Sequence, residues 1–308
     1  MSKKIYVDGV HPEETRVVVV DSSTNRVSDF DVETTTKPQI KGNIYLAKVI
    51  RVEPSLQAAF VDYGTGKNGF LPFSEIHPDY YQVTPEQKKK LIELAHANIV
   101  DDDEDPDDEA DEVAEYDDSN AGEDNKEFLK RAREFKIQDV IKPKQILLIQ
   151  GVKEERGQKG ASMTTYLSLA GRFAVLMPNS RKRNSYGISK KISDKAERAR
   201  LREILHGLKI PKGMTVVLRT AAAGASGEDI TKDYEYLTAL WNDIRKTTLE
   251  SVAPVIIHAE DSLLRRVVRD FITDKDDVMY VQGAEAFEEA KAYFQQMYGR
   301  TPRKQLVQ

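Results

Sequence analysis

The chain has 308 residues, of which 40% are apolar, 31% are charged and none is cysteine. That is long enough for two or three domains with real cores. It also excludes disulfides and thiolate-bound zinc, so a reducing, cytoplasmic setting is the expectation. The formal net charge of -5 conceals an asymmetry: residues 101–124 hold 15 Asp or Glu and no Lys or Arg, and the rest of the chain carries +10. A basic body of this kind suits a polyanionic partner, although surface lysines that only solubilise would give the same sum.

The N-terminus, Met1 to Asp8, has no apolar signal core, and no run approaches the ~18 apolar residues of a membrane span. Residues 5–8, 15–21 and 27–33 are short β-rich runs separated by turn-forming residues, which predicts a small antiparallel sheet. Thr34 to Pro38 reads as a linker. A strand follows from Asn43 to Glu53, then strands near 57–63 and 68–74. Residues 79–100 include a polar helical segment. The acidic tract at 101–124 cannot bury enough apolar surface to fold alone. Strand character returns at 146–149 and over 161–169, where Met163, Thr165, Leu167 and Leu169 alternate with more polar residues. Five strands with one disordered insertion predict an OB-type barrel.

Beyond Gly171 the pattern is α/β. Ser193 is placed to cap a helix over 194–206, ended by Gly207 and Pro211. A strand over 214–219 leads into the small-residue loop 221–227. A long helix over 229–249 carries Ile230, Tyr234, Leu237, Trp241 and Ile244 on one face. A strand (255–257), a helix (262–272), a strand (278–282) and a helix (284–297) complete the chain.

Strand parity picks out candidate binding residues. If Ala59, Val61 and Tyr63 fill the barrel, Phe60 points outward beside Asp62; Phe70 points outward from the next strand, with alternation breaking near Pro72. Two outward phenylalanines are costly unless something covers them. Stacked bases would do so, and packing by the inserted segment or a neighbouring domain is the alternative. The turn Lys153-Glu154-Glu155-Arg156-Gly157-Gln158-Lys159-Gly160 brings Lys153, Arg156 and Lys159 to the same barrel, where they could meet phosphates or simply be solvated. Arg219 and Thr220 stand before the loop 221–227, a combination of guanidinium, hydroxyl and backbone N–H groups able to hold a terminal phosphate; an ordinary strand-to-helix turn is the other reading. Arg181-Lys182-Arg183 and Lys190-Lys191 could extend a polyanion track. Gly64 to Gly69 fails as a phosphate loop, since Asn68 follows Lys67 where Ser or Thr is needed, and reads as a hairpin turn. The five histidines form no ligand pair, the acidic tract lacks the ligand spacing of an EF-hand, and no Ser/His/Asp set can be assembled.

The run Pro54-Ser55-Leu56-Gln57-Ala58-Ala59-Phe60-Val61-Asp62-Tyr63-Gly64 with Gly69-Phe70-Leu71-Pro72 strongly resembles the ribonuclease E/G family. So do Lys153 to Gly160, Thr164-Thr165, Ser168-Leu169-Ala170-Gly171, Leu176-Met177-Pro178-Asn179, Gly187-Ile188-Ser189 and Leu218-Arg219-Thr220-Ala221, in the same order. The resemblance implies a multidomain α/β fold: an S1 (OB) RNA-binding domain over 40–170, with a disordered acidic insertion at about 80–140, and a sensor of RNA 5′-monophosphate ends over 171–262. Both would be inserted into an RNase H-like subdomain whose parts are 1–39 and an incomplete 263–308. It places the family's S1 aromatics on Phe60 and Phe70 and its S1 lysine on Lys159. The sensor positions fall on Gly171, Val175, Arg219 and Thr220.

The family's magnesium-binding aspartates would lie in a DNase I-like subdomain after the end of this chain, and its zinc-linking cysteine pair is missing from the sequence. No catalytic or metal-binding residue is therefore expected in it, with Mg, Zn and homo-oligomers belonging only to the full-length family enzyme. The implied function is the single-stranded RNA-binding and 5′-monophosphate-sensing portion of an endoribonuclease of RNA processing and mRNA decay, as a truncated gene product. A stand-alone S1-type RNA-binding protein without a nuclease role is the alternative.

Overall fold

The computed structural model describes all residues except 1, 12, 36–38, 83–135, 158, 181–185, 212, 273–275 and 299–304. They divide into two compact units, one built from residues 1–39 with 259–308 and the other from 40–258.

In the first unit the three β-rich runs form β1 (Lys3–His11), β2 (Glu14–Asp21) and β3 (Val27–Thr34), paired antiparallel. The sheet is larger than those runs predict. Two strands from the other end of the chain extend it in parallel, β14 (Val278–Gln282) beside β1 and β15 (Leu306–Val307) beside β14, giving the order β15-β14-β1-β2-β3. Alternation sends Ile5, Val7, Val17, Val19, Met279 and Val281 into a core completed by α4 (Leu263–Phe271) and α5 (Ala284–Tyr298). Gly9 permits the close packing of α5, since a Cβ there would lie 2.6 Å from that of Ala286. The Leu263 N–H at the start of α4 donates to the Glu33 carboxylate of β3 at 2.9 Å, neutralising the positive end of the helix.

The second unit begins with a barrel of β4 (Ile44–Glu53), β5 (Ala58–Asp62), β6 (Asn68–Pro72), β7 (Ile146–Lys153) and β8 (Ser162–Thr164). They run in the order β4-β5-β6-β8-β7, and the pairing of β7 with β4 closes the ring. The β5–β6 connection is the hairpin turn expected at 64–69, with Gly64 and Gly66 at φ of +94° and +82°. A short helix α1 (Ile137–Val140) buries Ile137 and Val140 in the barrel core.

The strand expected over 161–169 is interrupted. Pairing ends at Thr164, and side chains then satisfy the backbone. Thr165 donates from its N–H and its hydroxyl to the Glu75 carbonyl at 2.9 and 2.8 Å. Leu167 N–H donates to Asn179 Oδ1 and Ser168 N–H to Gln150 Oε1, at 2.9 and 2.8 Å. Pairing resumes only at β9 (Leu169–Ala170).

There the chain enters a four-stranded sheet of order β11-β12-β10-β9, with β10 (Ala174–Met177), β11 (Tyr186–Ile188) and β12 (Thr215–Leu218). Helices α2 (Lys195–Gly207) and α3 (Gly227–Glu250) pack on it. The cap of α2 is Asp194, one residue beyond the expected Ser193: its carboxylate accepts from the Ala196 N–H at 3.1 Å. In α3, Ile230, Tyr234, Leu237 and Ile244 are buried as the periodicity predicts, with Trp241 partly covered. The two halves of this unit share β4. Tyr45, Ala47 and Val49 face the barrel core, while Ile44 and Leu46 face the α/β core. After α3, β13 (Val255–His258) returns to pair antiparallel with β4 at Ile44 to Leu46.

Candidate nucleic-acid interface

Parity on β5 resolves as the sequence suggests. Ala59, Val61 and Tyr63 are 0%, 0% and 1% exposed in the barrel core, and the half-buried Phe60 lies on the outer face. Phe60 stands directly opposite Phe70 in the β5–β6 register, with ring centroids 5.9 Å apart and planes at 66°. Its neighbour on β4 is Arg51, whose guanidinium carbon lies 4.4 Å from the Phe60 ring centroid. Phe73 has a different task. The chain leaves β6 after Pro72 into a single 3-10 turn, and Phe73 stacks on Tyr81 against the barrel core at 5.3 Å. Most of the segment that could instead cover the two outward rings, including the acidic tract, lies outside the described residues.

The hairpin after β7 divides its charges between structure and surface. Glu154 accepts from the Ile40 and Lys41 N–H groups, both at 2.8 Å, and Glu155 accepts from the Tyr63 hydroxyl at 2.8 Å and from Lys67 at 2.5 Å. Burial, with the Glu155 carboxylate alongside, pushes the Tyr63 phenol up to about 12, so it stays a donor. Lys153, Arg156 and Lys159 all remain exposed, and Arg156 and Lys159 exchange backbone hydrogen bonds across the turn at 3.1 and 3.0 Å. Gly160 allows the return strand to press on β6, for a Cβ there would sit 2.0 Å from the Asn68 carbonyl oxygen.

The second candidate locus surrounds the start of β10. Arg219 donates from Nη1 to the Gly171 carbonyl at 2.7 Å and from its N–H to the Phe173 carbonyl at 2.8 Å. Thr220 follows, exposed, at the head of a 3-10 turn. Underneath lies a residue that sequence reasoning missed, Asp233 of α3, which accepts from the N–H groups of Arg172, Phe173 and Ala174 at 3.1, 2.8 and 2.9 Å. Burial raises its carboxyl above the ordinary range, against the pull of those amides and of the Arg219 charge. No local motif marked Asp233, because its partners lie about sixty residues away. Gly171, Arg219 and Thr220 are thus brought together. Val175 lies further along β10, its side chain 5% exposed, opposite Ala170 and Val217.

The loop after Arg219 is tied to α2 through Glu197, which accepts from the Gly224 N–H at 2.8 Å and from Arg200 at 2.9 and 2.6 Å. The Arg200 hydrogen bond, then the Gly224 amide, hold the Glu197 carboxyl down at about 2. Lys190 and Lys191 are exposed, while Arg181 to Arg183 lie outside the described residues.

A closed five-stranded barrel with an aromatic pair on its second and third strands is the architecture of oligonucleotide-binding OB domains. Comparison agrees: residues 39–99 match the S1 RNA binding domain and residues 168–307 match the Ribonuclease E/G family. The chain is 34% identical to ribonuclease E of Haemophilus influenzae over 94% of its own length and 26% of that protein's. Identity to ribonuclease E of Escherichia coli K12 is 33%, over 94% of this chain and 23% of the relative. Ribonuclease G of H. influenzae is 30% identical over 92% of this chain and 48% of the relative. The chain is similar to the ribonuclease E/G family over residues 168–307 and spans about a quarter of the length of these ribonuclease E relatives. Among the described residues no cluster of three or more His, Cys, Asp or Glu could hold a metal ion, and no helix is long and apolar enough to cross a membrane.

Proposed function

We propose that this chain is the RNA-recognition portion of an endoribonuclease of RNA processing and decay, gripping single-stranded RNA on its S1 barrel and reading a 5′-monophosphate at the Arg219 loop. The observation that carries the reading is the outward Phe60–Phe70 pair on an S1 domain within a chain related to ribonucleases E and G along nearly its whole length. Bases stack on such rings with little sequence preference, each for about 1–3 kcal/mol. Lys153, Arg156 and Lys159 would neutralise phosphates beside them.

At the second locus, Arg219 is oriented by the Gly171 and Phe173 carbonyls, with the Thr220 hydroxyl and loop amides alongside. A monophosphate offers acceptors to all three donor types and a charge that a 5′-hydroxyl lacks. The contact of Val175 would be made by its backbone.

In the same reading, the unit of residues 1–39 and 259–308 is an RNase H-like subdomain that the S1 and sensor regions interrupt. Magnesium, a zinc link and oligomerisation are features of the longer family enzyme. The described residues do not assemble a fitting metal site, so no metal-dependent step is derived from them. A stand-alone RNA-binding role is less favoured, since the similarity extends beyond the S1 domain through residues 168–307.

The test is fluorescence anisotropy with an unstructured RNA bearing either 5′ end. Phe60→Ala and Phe70→Ala should each weaken binding by about 1–3 kcal/mol for both ends. Arg219→Ala should abolish only the preference for the monophosphate. Unchanged affinity in both phenylalanine variants would remove the stacking surface, and a surviving end preference would move the phosphate site elsewhere.

A further inference from the structure

Two irregularities in the barrel point to an RNA contact that strict strand parity hides. On β4, Val49 pairs with inward Val61, so Ile50 should oppose Phe60 and Arg51 should turn inward. The register instead slips between Val49 and Arg51, setting Arg51 opposite Phe60 and leaving Ile50 as the extra residue, 45% exposed. Val52, opposite buried Ala59, then packs on the barrel core. The same device recurs on β7. Gly151 pairs with buried Met163, and a slip between Gly151 and Lys153 sets Lys153 opposite Ser162.

Bulges re-aim single side chains and break the ladder to do so. Here both aim a cation at one band. In register across the barrel stand Arg51, Phe60, Phe70, Ser162 and Lys153. The band has a cation at each end, an aromatic pair and a hydroxyl between them, and its own local order: the Arg51 guanidinium already lies on the Phe60 ring.

We propose that Arg51 is an RNA-binding residue of the S1 face and that the RNA runs across the strands, from Arg51 over Phe60 and Phe70 to Lys153. This rests on the S1 reading above. Over one face of the Phe60 ring, the guanidinium holds that ring in place and would offer its N–H groups to a phosphate of an RNA seated on the aromatic pair. Lys153 supplies the opposite charge clamp as a point cation. Four strand-to-strand steps of ~4.8 Å make the band about 19 Å measured along the curved barrel wall, which β7 closes onto β4. The RNA would therefore wrap the wall over a footprint near the four-nucleotide lower limit of OB sites.

The experiment is anisotropy titration of the full chain with a 5′-hydroxyl oligouridylate, repeated over a salt series. Arg51→Ala should bind about two- to fivefold more weakly at low salt, the scale of one exposed cation contact. It should also flatten the log K against log salt slope by ~0.7, one phosphate on a single strand. Arg51→Lys should keep the slope and lose part of the affinity, because it retains charge without the stacked plane. Pairing Arg51→Ala with Phe60→Ala should be non-additive, whereas pairing it with Lys153→Ala should be additive. Equal affinity and slope for Arg51→Ala, with Phe60→Ala still weakened, would overturn the proposal and spare the S1 reading. Loss of effect in Phe60→Ala and Phe70→Ala as well would sink both. Arg51 is exposed, so matching thermal melts are expected for the variants.

Discussion

Phe60 and Phe73 both fall in runs that predict strands of one small barrel, yet of the two only Phe60 is offered to a ligand. The difference lies in where β6 stops: after Pro72 the chain turns, and Phe73 rotates into the core against Tyr81. Gly171 shows the same dependence on one local detail. A Cβ there would lie 2.5 Å from Oδ2 of Asp233, whose carboxylate is held by three amides and cannot swing aside without leaving them unpaired. Gly171→Ala is therefore expected to cost about 1–3 kcal/mol. It should also blunt 5′-end discrimination, because the Gly171 carbonyl orients Arg219. Chemical denaturation alongside end-specific RNA binding checks both; wild-type stability would mean that Asp233 has room to move.

At the scale of elements, the loop 220–224 is held by α2 rather than by its own sequence. Glu197 fastens Gly224 and is fixed in turn by Arg200. Its carboxyl titrates at about 2 in the fold against an ordinary 4.5, so the charged form is the one the fold favours. The stabilisation is fully present above about pH 4.5 and is lost as pH falls toward 2. Hydrogen exchange at the Gly224 amide should thus accelerate, relative to the chemical rate, as the pH falls through that window. Glu197→Gln should show the faster exchange at neutral pH and little further change in acid. Equal protection in the variant and the wild type would show that the loop is held by other contacts.

At the scale of the molecule, the barrel is not free-standing. Ile44, Leu46 and Leu148 point away from its centre into the α/β core, and β13 pairs with β4 from beyond α3. A fragment of residues 40–170 should expose these residues and self-associate or melt early, whereas residues 40–258 should be monodisperse. Sedimentation and thermal melts of the two fragments distinguish the cases; a well-behaved, cooperative 40–170 fragment would show that the S1 region can cover this face alone. The sheet of the other unit is likewise completed from afar, by β14 pairing with β1 and β15 with β14.

Periodicity alone made the five barrel strands, the outward Phe60, the stripe on α3 and the strand–helix alternation beyond Gly171 legible, since each depends on residues two to four positions apart. Long motifs added the family, with Arg219 and Thr220 among the residues they single out. What the chain could not reveal by itself were relations that parity and spacing do not encode. The bulges that turn Arg51 and Lys153 outward reverse the parity on which a sequence reading depends. Asp233 under the Arg219 locus, the return of β13 to β4 and the break at Thr164 are satisfied by partners far along the chain. Short-range order follows from the repeat of a helix or strand, whereas hydrogen bonds between distant segments and register slips are settled only when those segments pack.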